Sequence, residues 1–206
     1  MNTTFYHRGN RALQDQFESR RIADRLETIA RTEFSEGDQE LIEESIFFFL
    51  ATADDEGQPD CSFKGGPPGF VRVTGPSELA FPDYDGNGMF RSLGNVLVNP
   101  QVALLFIAMD GAPHRLRVLG DARIVPDDPL LRHTVGAQIM IRVDVRVIFP
   151  NCPRYIPTLS VVAPSRFTPR AGCQPVEPEW KDMDYFRDAI HPRQPTWSGD
   201  EAPPRG

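Results

Sequence analysis

Between Ser45 and Phe149 the chain offers one strand-like run after another and a single short helical run. SIFFFLATA and QVALLFIAM are continuous, apolar and β-permissive, while HRLRVLGDARIV and QIMIRVDVRVIF alternate with period two. In the first of these two, Leu116, Val118 and Ala122 fall on one face and Arg115, Arg117 and Arg123 on the other. In the second, Val143, Val145 and Val147 oppose Arg142, Asp144 and Arg146. One wet face and one dry face per strand is the pattern of an antiparallel sheet, whereas a doubly wound sheet needs a helix between successive strands. With shorter runs at CSFKGG, FVRV and ELAFPDY, the reading is a mainly β (α+β) fold of about six strands, a small antiparallel barrel with one short helix after the fourth strand.

A chain of 206 residues with 40% hydrophobic residues can bury one sizeable core. No boundary divides its middle, so the expected organisation is an N-terminal helical extension over 1–44, a barrel over 45–161 and a proline-rich extension over 162–206. The formal net charge of −7 argues against sequence-independent binding to nucleic acid or to an anionic membrane. The most apolar run, Ile46 to Ala53, is too short to cross a bilayer, and MNTTFYHRGNRALQDQ lacks the apolar stretch of a secretory signal. Cys61, Cys152 and Cys173 form no CxxC and are odd in number, unlike a disulfide framework, which points to a reducing, cytoplasmic setting. The four histidines are scattered, so no metal site is expected.

Residues 10–32 place Leu13, Phe17, Ile22, Leu26 and Ile29 at three- to four-residue spacing among charges, an amphipathic helix broken near Ser19. Such a helix packs on its own core, or serves as a dimerisation arm or lid; packing on its own core is the expectation. A short helix follows from Ser35, with Asp38 as its cap. DDEGQPD makes a hairpin turn at Asp54 to Gly57, and PDDPLLRHT makes a helical connection starting near Asp127 or Asp128. Beyond Pro150 the composition turns to Pro, Arg and Gly. One helix is expected in PEWKDMDYFRDAI, with Trp180, Tyr185 and Phe186 as anchors, and residues 192–206 read as disordered.

The chemistry concentrates in FPDYDGNGMFRSLGNVLVNP, residues 81–100. A Gly/Asn/Asp turn delivers Arg91 and Ser92 to a helix start, where unpaired N–H groups and a partial positive charge favour an anion. Neither GxGxxG nor a Walker pattern is present, and Ser92 lies in no GxSxG context. Lys64, followed by Gly65, Gly66 and Gly69, emerges where a backbone can approach a ligand closely; a solvated edge-strand lysine is the competing reading.

FLATADDEGQPDCSFKGG, GFVRV and LAFPDYDGNGMFRSLGNVLVNPQVALLFI together resemble the pyridoxamine 5′-phosphate oxidase-like family of flavin-binding split β-barrels. The resemblance covers about 100 residues, from Ser45 to Phe149. It implies an FMN site between the two subunits of a homodimer. By position, Ser62, Phe63 and Lys64 fall where the family lines the flavin, and Arg91 and Ser92 where it holds the phosphate. Asp85, Gly86 and Asn87 fall in the adjoining turn, and Arg115 on the strand that reaches the cofactor from the partner subunit. Authentic oxidases carry an Arg-x-His pair near the C-terminus for the vitamin phosphate. Here the comparable stretch is Arg154-Tyr155-Ile156, so the resemblance does not extend to the vitamin substrate, and Arg154 and Tyr155 either meet another anionic or aromatic substrate or only fix the end of the strand. The implied activity is an FMN-dependent oxidoreductase acting on a small molecule. The alternatives are a carrier or sensor of flavin, haem or tetrapyrrole on the same barrel, or a deazaflavin in place of FMN.

Overall fold

The computed structural model describes residues 5–108 and 114–190. The expected disordered end at 192–206 lies outside the described residues, as does Met109 at the end of its expected strand. The β-rich reading holds, with seven strands instead of about six: β1 (Phe47–Ala53), β2 (Pro59–Gly65), β3 (Arg72–Gly75), β4 (Glu78–Tyr84), β5 (Gln101–Ile107), β6 (Arg115–Val125) and β7 (Ala137–Asn151). They form one antiparallel sheet in the order β2-β1-β5-β6-β7-β4-β3. All seven correspond to runs named in the sequence, but the FVRV run is displaced: Phe70 and Val71 are buried in the core, and Arg72 to Gly75 ladder with β4.

The sheet curls. β2 and β4 stand five places apart in the strand order, which a flat sheet would separate by about 24 Å, yet Lys64 Nζ lies 3.4 Å from Asp83 Oδ1. No ladder joins β2 to β4 or β3, so the barrel is split along that line. Register shifts at Val73/Gly75, Asp83/Tyr84 and Leu119/Gly120 supply the bending, since a bulge raises local twist. At the last of these, a Cβ on Gly120 would sit 2.4 Å from the Asp144 carbonyl oxygen and 2.7 Å from Val143 Cγ1.

The curl encloses the core. Phe48 of β1 is fully buried, with ring centroids of Phe81, Phe106 and Phe70 at 5.0, 5.2 and 5.9 Å. One end is covered by Ile42 of α3 (Glu36–Glu44), while α4 (Arg91–Val98) inserts Leu93 and Val96. α4 is held to β1 by Asn95, whose amide donates to Thr52 Oγ1 at 3.0 Å, and to the hairpin turn by Asn99, which donates to the Asp54 carbonyl at 3.2 Å. Asn95 is therefore a mid-helix anchor and Asn99 the C-cap. The hairpin turn at Asp54 to Gly57 and the 3-10 connection Pro129–His133 capped by Asp128 form as the sequence predicts.

The cap of α3 differs from expectation. Ser35 is the N-cap and Asp38 is its reciprocal partner three residues on: Ser35 Oγ accepts from the Asp38 N–H at 3.2 Å, and the Asp38 carboxylate accepts from the Ser35 N–H at 2.9 Å. The same carboxylate takes Arg31 Nε at 3.0 Å, and Arg31 forms a backbone bridge to Ile148 of β7. Burial pushes the Asp38 carboxyl up, but the hydrogen bonds from Arg31 and Ser35 outweigh it and leave it below the ordinary carboxylate range. The folded chain thus ionises Asp38 at lower pH than the unfolded chain does. Its contribution is complete above the unfolded value and fades as pH falls through the folded one. Asp38→Asn should cost about 2–3 kcal/mol at neutral pH. That difference should shrink in acid, read as urea midpoints across the carboxylate range; a difference constant with pH would refute this account.

The N-terminal segment breaks where expected, into α1 (Arg8–Gln16) and α2 (Arg20–Glu27), with Glu18 in the left-handed region at φ 52°. Arg11 pairs with Asp24 and with Glu27 (3.3 Å), and Arg20 pairs with Asp15, so the two helices are clamped into a hairpin. The expectation that the stripe packs on its own core is corrected. Leu13, Phe17, Ile22, Leu26 and Ile29 are 45–72% exposed, and Ala23 is the buried residue of the hairpin's helices. The hairpin reaches the barrel through the Phe5 ring, 5.3 Å from that of Phe149, and through Arg31. Neither anchor uses the apolar stripe.

At the other end, the single helix expected in PEWKDMDYFRDAI is two short pieces. A 3-10 turn spans Glu179–Asp182 and α5 spans Asp184–Arg187, parted by Met183 in extended conformation. Trp180 packs edge-on against Phe186 at 5.4 Å, while Tyr185 is exposed.

Candidate functional site

Strand β2 is an edge strand, and its alternation decides what faces the split. Asp60, Ser62 and Lys64 stand opposite Thr52, Leu50 and Phe48 of β1, all buried, so they lie on the inner side of the curl. Cys61 and Phe63 stand opposite Ala51 and Phe49 on the outer side. Across the split come Pro82, Asp83 and Tyr84 from β4, then the turn Asp85 to Phe90 and the start of α4. Together these line an open cleft of about 420 Å³, floored by Phe70 and Leu93.

Ser92 is buried at the inner wall, with Oγ 2.9 Å from Ser62 Oγ and 3.3 Å from Asp60 Oδ2. Arg91 is more exposed and places Nε 3.5 Å from Asp60 Oδ1. Lys64 and Asp83 pair across the split. Burial pushes the Asp83 carboxyl up, with Lys64 opposing that rise. Burial likewise raises the Tyr84 hydroxyl to about 12, and its oxygen finds no hydrogen-bond partner among the described residues.

The turn is shaped by local bonding. Asn87 Oδ1 accepts from the Met89 N–H at 3.0 Å, Gly88 takes φ +73°, and Phe90 caps α4 in the left-handed region at φ +48°. A phenylalanine in that conformation is uncommon, and it leaves Met89 and Phe90 63% and 53% exposed at the rim of the cleft. Asp85 binds Lys181, which also holds Glu177 at 2.9 Å, so the C-terminal segment is fastened to this turn.

Of the residues singled out in the sequence, Ser62, Phe63, Lys64, Asp85, Gly86, Asn87, Arg91 and Ser92 all border this one cleft. Phe63 differs from its neighbours, since its ring stacks on Phe47 at 5.1 Å on the outer side and is 62% exposed. Arg115, Arg154 and Tyr155 are not among the residues of the cleft. Arg115 lies on the outer side of β6 opposite Asn151, and its Nε and the Asn151 Oδ1 are both buried with no hydrogen-bond partner among the described residues. Arg154 and Tyr155 follow β7, the tyrosine 94% exposed. Two acids that border the cleft, Asp60 and Asp83, were not singled out. Asp60 was within reach, because it stands two residues before Ser62 on the same strand.

Residues 34–162 match the profile of the family described as Pyridoxamine 5'-phosphate oxidase. The chain belongs to that family. The match takes in α3, all seven strands and α4, and leaves α1, α2 and the segment after Val162 outside it. No curated protein matches the chain. Among solved structures, HupZ of Group A Streptococcus is similar at 18% identity over 57% of this chain and 93% of its own, with a TM-score of 0.45. HutZ, the heme storage protein of Vibrio cholerae, is similar at 20% identity over 57% and 94%, with a TM-score of 0.42. An FMN-binding protein of Syntrophomonas wolfei is similar at 10% identity over 69% and 96%, with a TM-score of 0.40. No helix among the described residues is long and apolar enough to cross a membrane.

The donor set of the cleft suits FMN. Two hydroxyls and a guanidinium converge at the start of α4, a lysine stands further along β2, and Met89 and Phe90 offer apolar surface at the rim.

Proposed function

We propose that the protein is an FMN-dependent oxidoreductase of a small molecule, working as a homodimer. The observation that carries this reading is the convergence of Ser62, Ser92 and Arg91 at the first turn of α4, within the one cleft that Lys64 also enters. Arg91 and Ser92 hold the phosphate and Lys64 meets the ring system. Charge-assisted hydrogen bonds contribute roughly 1.5–3 kcal/mol each, against about 8 kcal/mol for a micromolar ligand, so burial of the ring supplies the remainder. Bound flavin supplies the electron transfer; the chain binds it, orients it and shields one face. No strong acid or base is required, in keeping with a cleft that has no histidine among its lining residues.

The homodimer reading is supported by what the single chain leaves uncovered. The outer side of the sheet presents Phe63, Phe47 and Phe49, followed across the ladders by Leu105, Leu119, Val147 and Phe149. Phe5, just ahead of the helical hairpin, meets this side at Phe149, and the stripe of α1 and α2 is exposed as well. A second copy seated there covers both surfaces, and it brings a symmetry-related Arg115 to the interface, as the sequence resemblance implies.

The protein purified as expressed should be yellow, with a flavin released on denaturation and identified by mass spectrometry. Arg91→Ala should weaken FMN binding by about tenfold to a hundredfold, the loss of one charge-assisted bond. A colourless protein that added FMN fails to stabilise against heat overturns the reading. A deazaflavin or a tetrapyrrole in the same extract replaces FMN by that molecule.

A further inference from the structure

Among the described residues that line the cleft, each cation faces a carboxylate. Arg91 has Asp60, and Lys64 has Asp83. Asp60 is also tied to Ser92, so a single side chain engages both groups assigned to the phosphate. These contacts are long, at 3.3 and 3.5 Å, with Asp60 still one-fifth exposed and Arg91 well exposed. They orient the cradle without closing it.

We infer that Asp60 is an internal counter-anion: it holds Arg91 and Ser92 in place before a flavin binds, opposes the incoming phosphate, and thereby makes the flavin exchangeable instead of permanently held. This deepens the flavin reading and rests on it. The physical basis is that a phosphate seated on Arg91 and Ser92 comes within a few ångströms of the Asp60 carboxylate. The gain at the guanidinium is then offset by repulsion between like charges. Asp83 and Asp85, the other carboxylates bordering the cleft, are engaged by Lys64 and Lys181, which leaves Asp60 as the acid that shares the phosphate donors. Asp60 acts through those donors and is a positioning residue.

The test compares FMN with riboflavin, which lacks the phosphate, by titrating flavin-free protein and following flavin fluorescence. Asp60→Asn keeps the shape and a hydrogen-bonding oxygen but removes the charge. It should tighten FMN about tenfold and slow FMN release correspondingly, while riboflavin binding changes less than about twofold. Asp60→Glu, which keeps the charge, should bind FMN as the native chain does. A merely structural role would move both flavins together. Unchanged or weaker FMN binding by Asp60→Asn overturns the inference. Should that variant fail to fold, Asp60→Ser carries the same comparison. Inorganic phosphate provides an arm independent of flavin: it should raise the melting temperature of the charge-removed variant more than that of the native chain. An equal rise in both refutes the role of Asp60. If neither flavin binds any variant while phosphate still discriminates, the flavin reading fails and the counter-anion stands.

Discussion

Gly120→Ala is expected to be the most damaging single-methyl change in the chain. Gly120 sits at the register shift between β6 and β7, where the added carbon would lie 2.4 Å from the Asp144 carbonyl oxygen and 3.1 Å from its carbon. A flexible side chain could swing away from such a contact. A ladder carbonyl cannot do so without giving up its register. The neighbours Leu116, Val118 and Ala122 are all buried, so displacement of β6 propagates into the core. Overpacking of this kind costs about 1–3 kcal/mol in a core that can yield, and the rigid ladder puts this site at or above the upper end. The measurement is the urea or thermal midpoint of Gly120→Ala beside Gly37→Ala, whose added carbon meets nothing within 4 Å. Equal midpoints would show that the bulge relaxes freely.

The second large effect concerns association. Phe17 and Ile22 are 72% and 60% exposed on the helical hairpin, and neither belongs to the buried core of the single chain. The test replaces both with Glu. Exposed substitutions usually change folding stability by no more than about 0.5 kcal/mol. If a second copy covers the stripe, however, each change puts a charge into an apolar interface, and together they should raise the dimer dissociation constant by at least about a hundredfold. Sedimentation or light scattering over a dilution series reads this directly. The native chain should be dimeric at micromolar concentration and the double variant monomeric with an unaltered unfolding transition. A native chain that is monomeric at all concentrations, or a double variant as dimeric as the native one, excludes the arm from the interface.

Most of the barrel was legible because period-two alternation survives in the sequence. The exception is the register shift at Leu119/Gly120, where Val147, expected on the dry face with Val143, pairs with Leu119 on the outer side and Ile148 takes the buried side. HRLRVLGDARIV and QIMIRVDVRVIF pair as β6 and β7, and the arginines of their polar faces are largely paired: Arg123 with Glu78 and Asp144, Arg142 with Glu78 and Asp128, Arg146 with Asp121. The cleft was legible because its donors lie on two short stretches, 62–64 and 85–92, that one curl brings together. Three things were not legible. The bounds of the short edge strand β3 were misplaced by two residues, because FVRV is too short to show a period and its first two residues are buried in the core. The role of Asp38 depends on Arg31, seven residues away, which a local cap rule does not see. Whether an amphipathic stripe is buried by its own chain is a property of the tertiary structure, and Leu13 and Ile22 look the same in sequence either way. Asp60 carries no signature of its own in the sequence, since an acid that shares the donors of an anion site looks like any other strand carboxylate.

The open seam has a consequence for how copies of this chain can meet. A closed barrel offers no backbone to a neighbour, but here β2 is a free edge whose N–H and C=O groups could template strand addition and so aggregation. Pro59 denies a donor at one end, and Gly65 and Gly66 end the strand at the other, so only a short stretch of the edge remains competent. The same few residues carry Ser62 and Lys64. A strand added at this edge would therefore lie beside the cleft wall, so association through this border and the shape of the cleft are coupled.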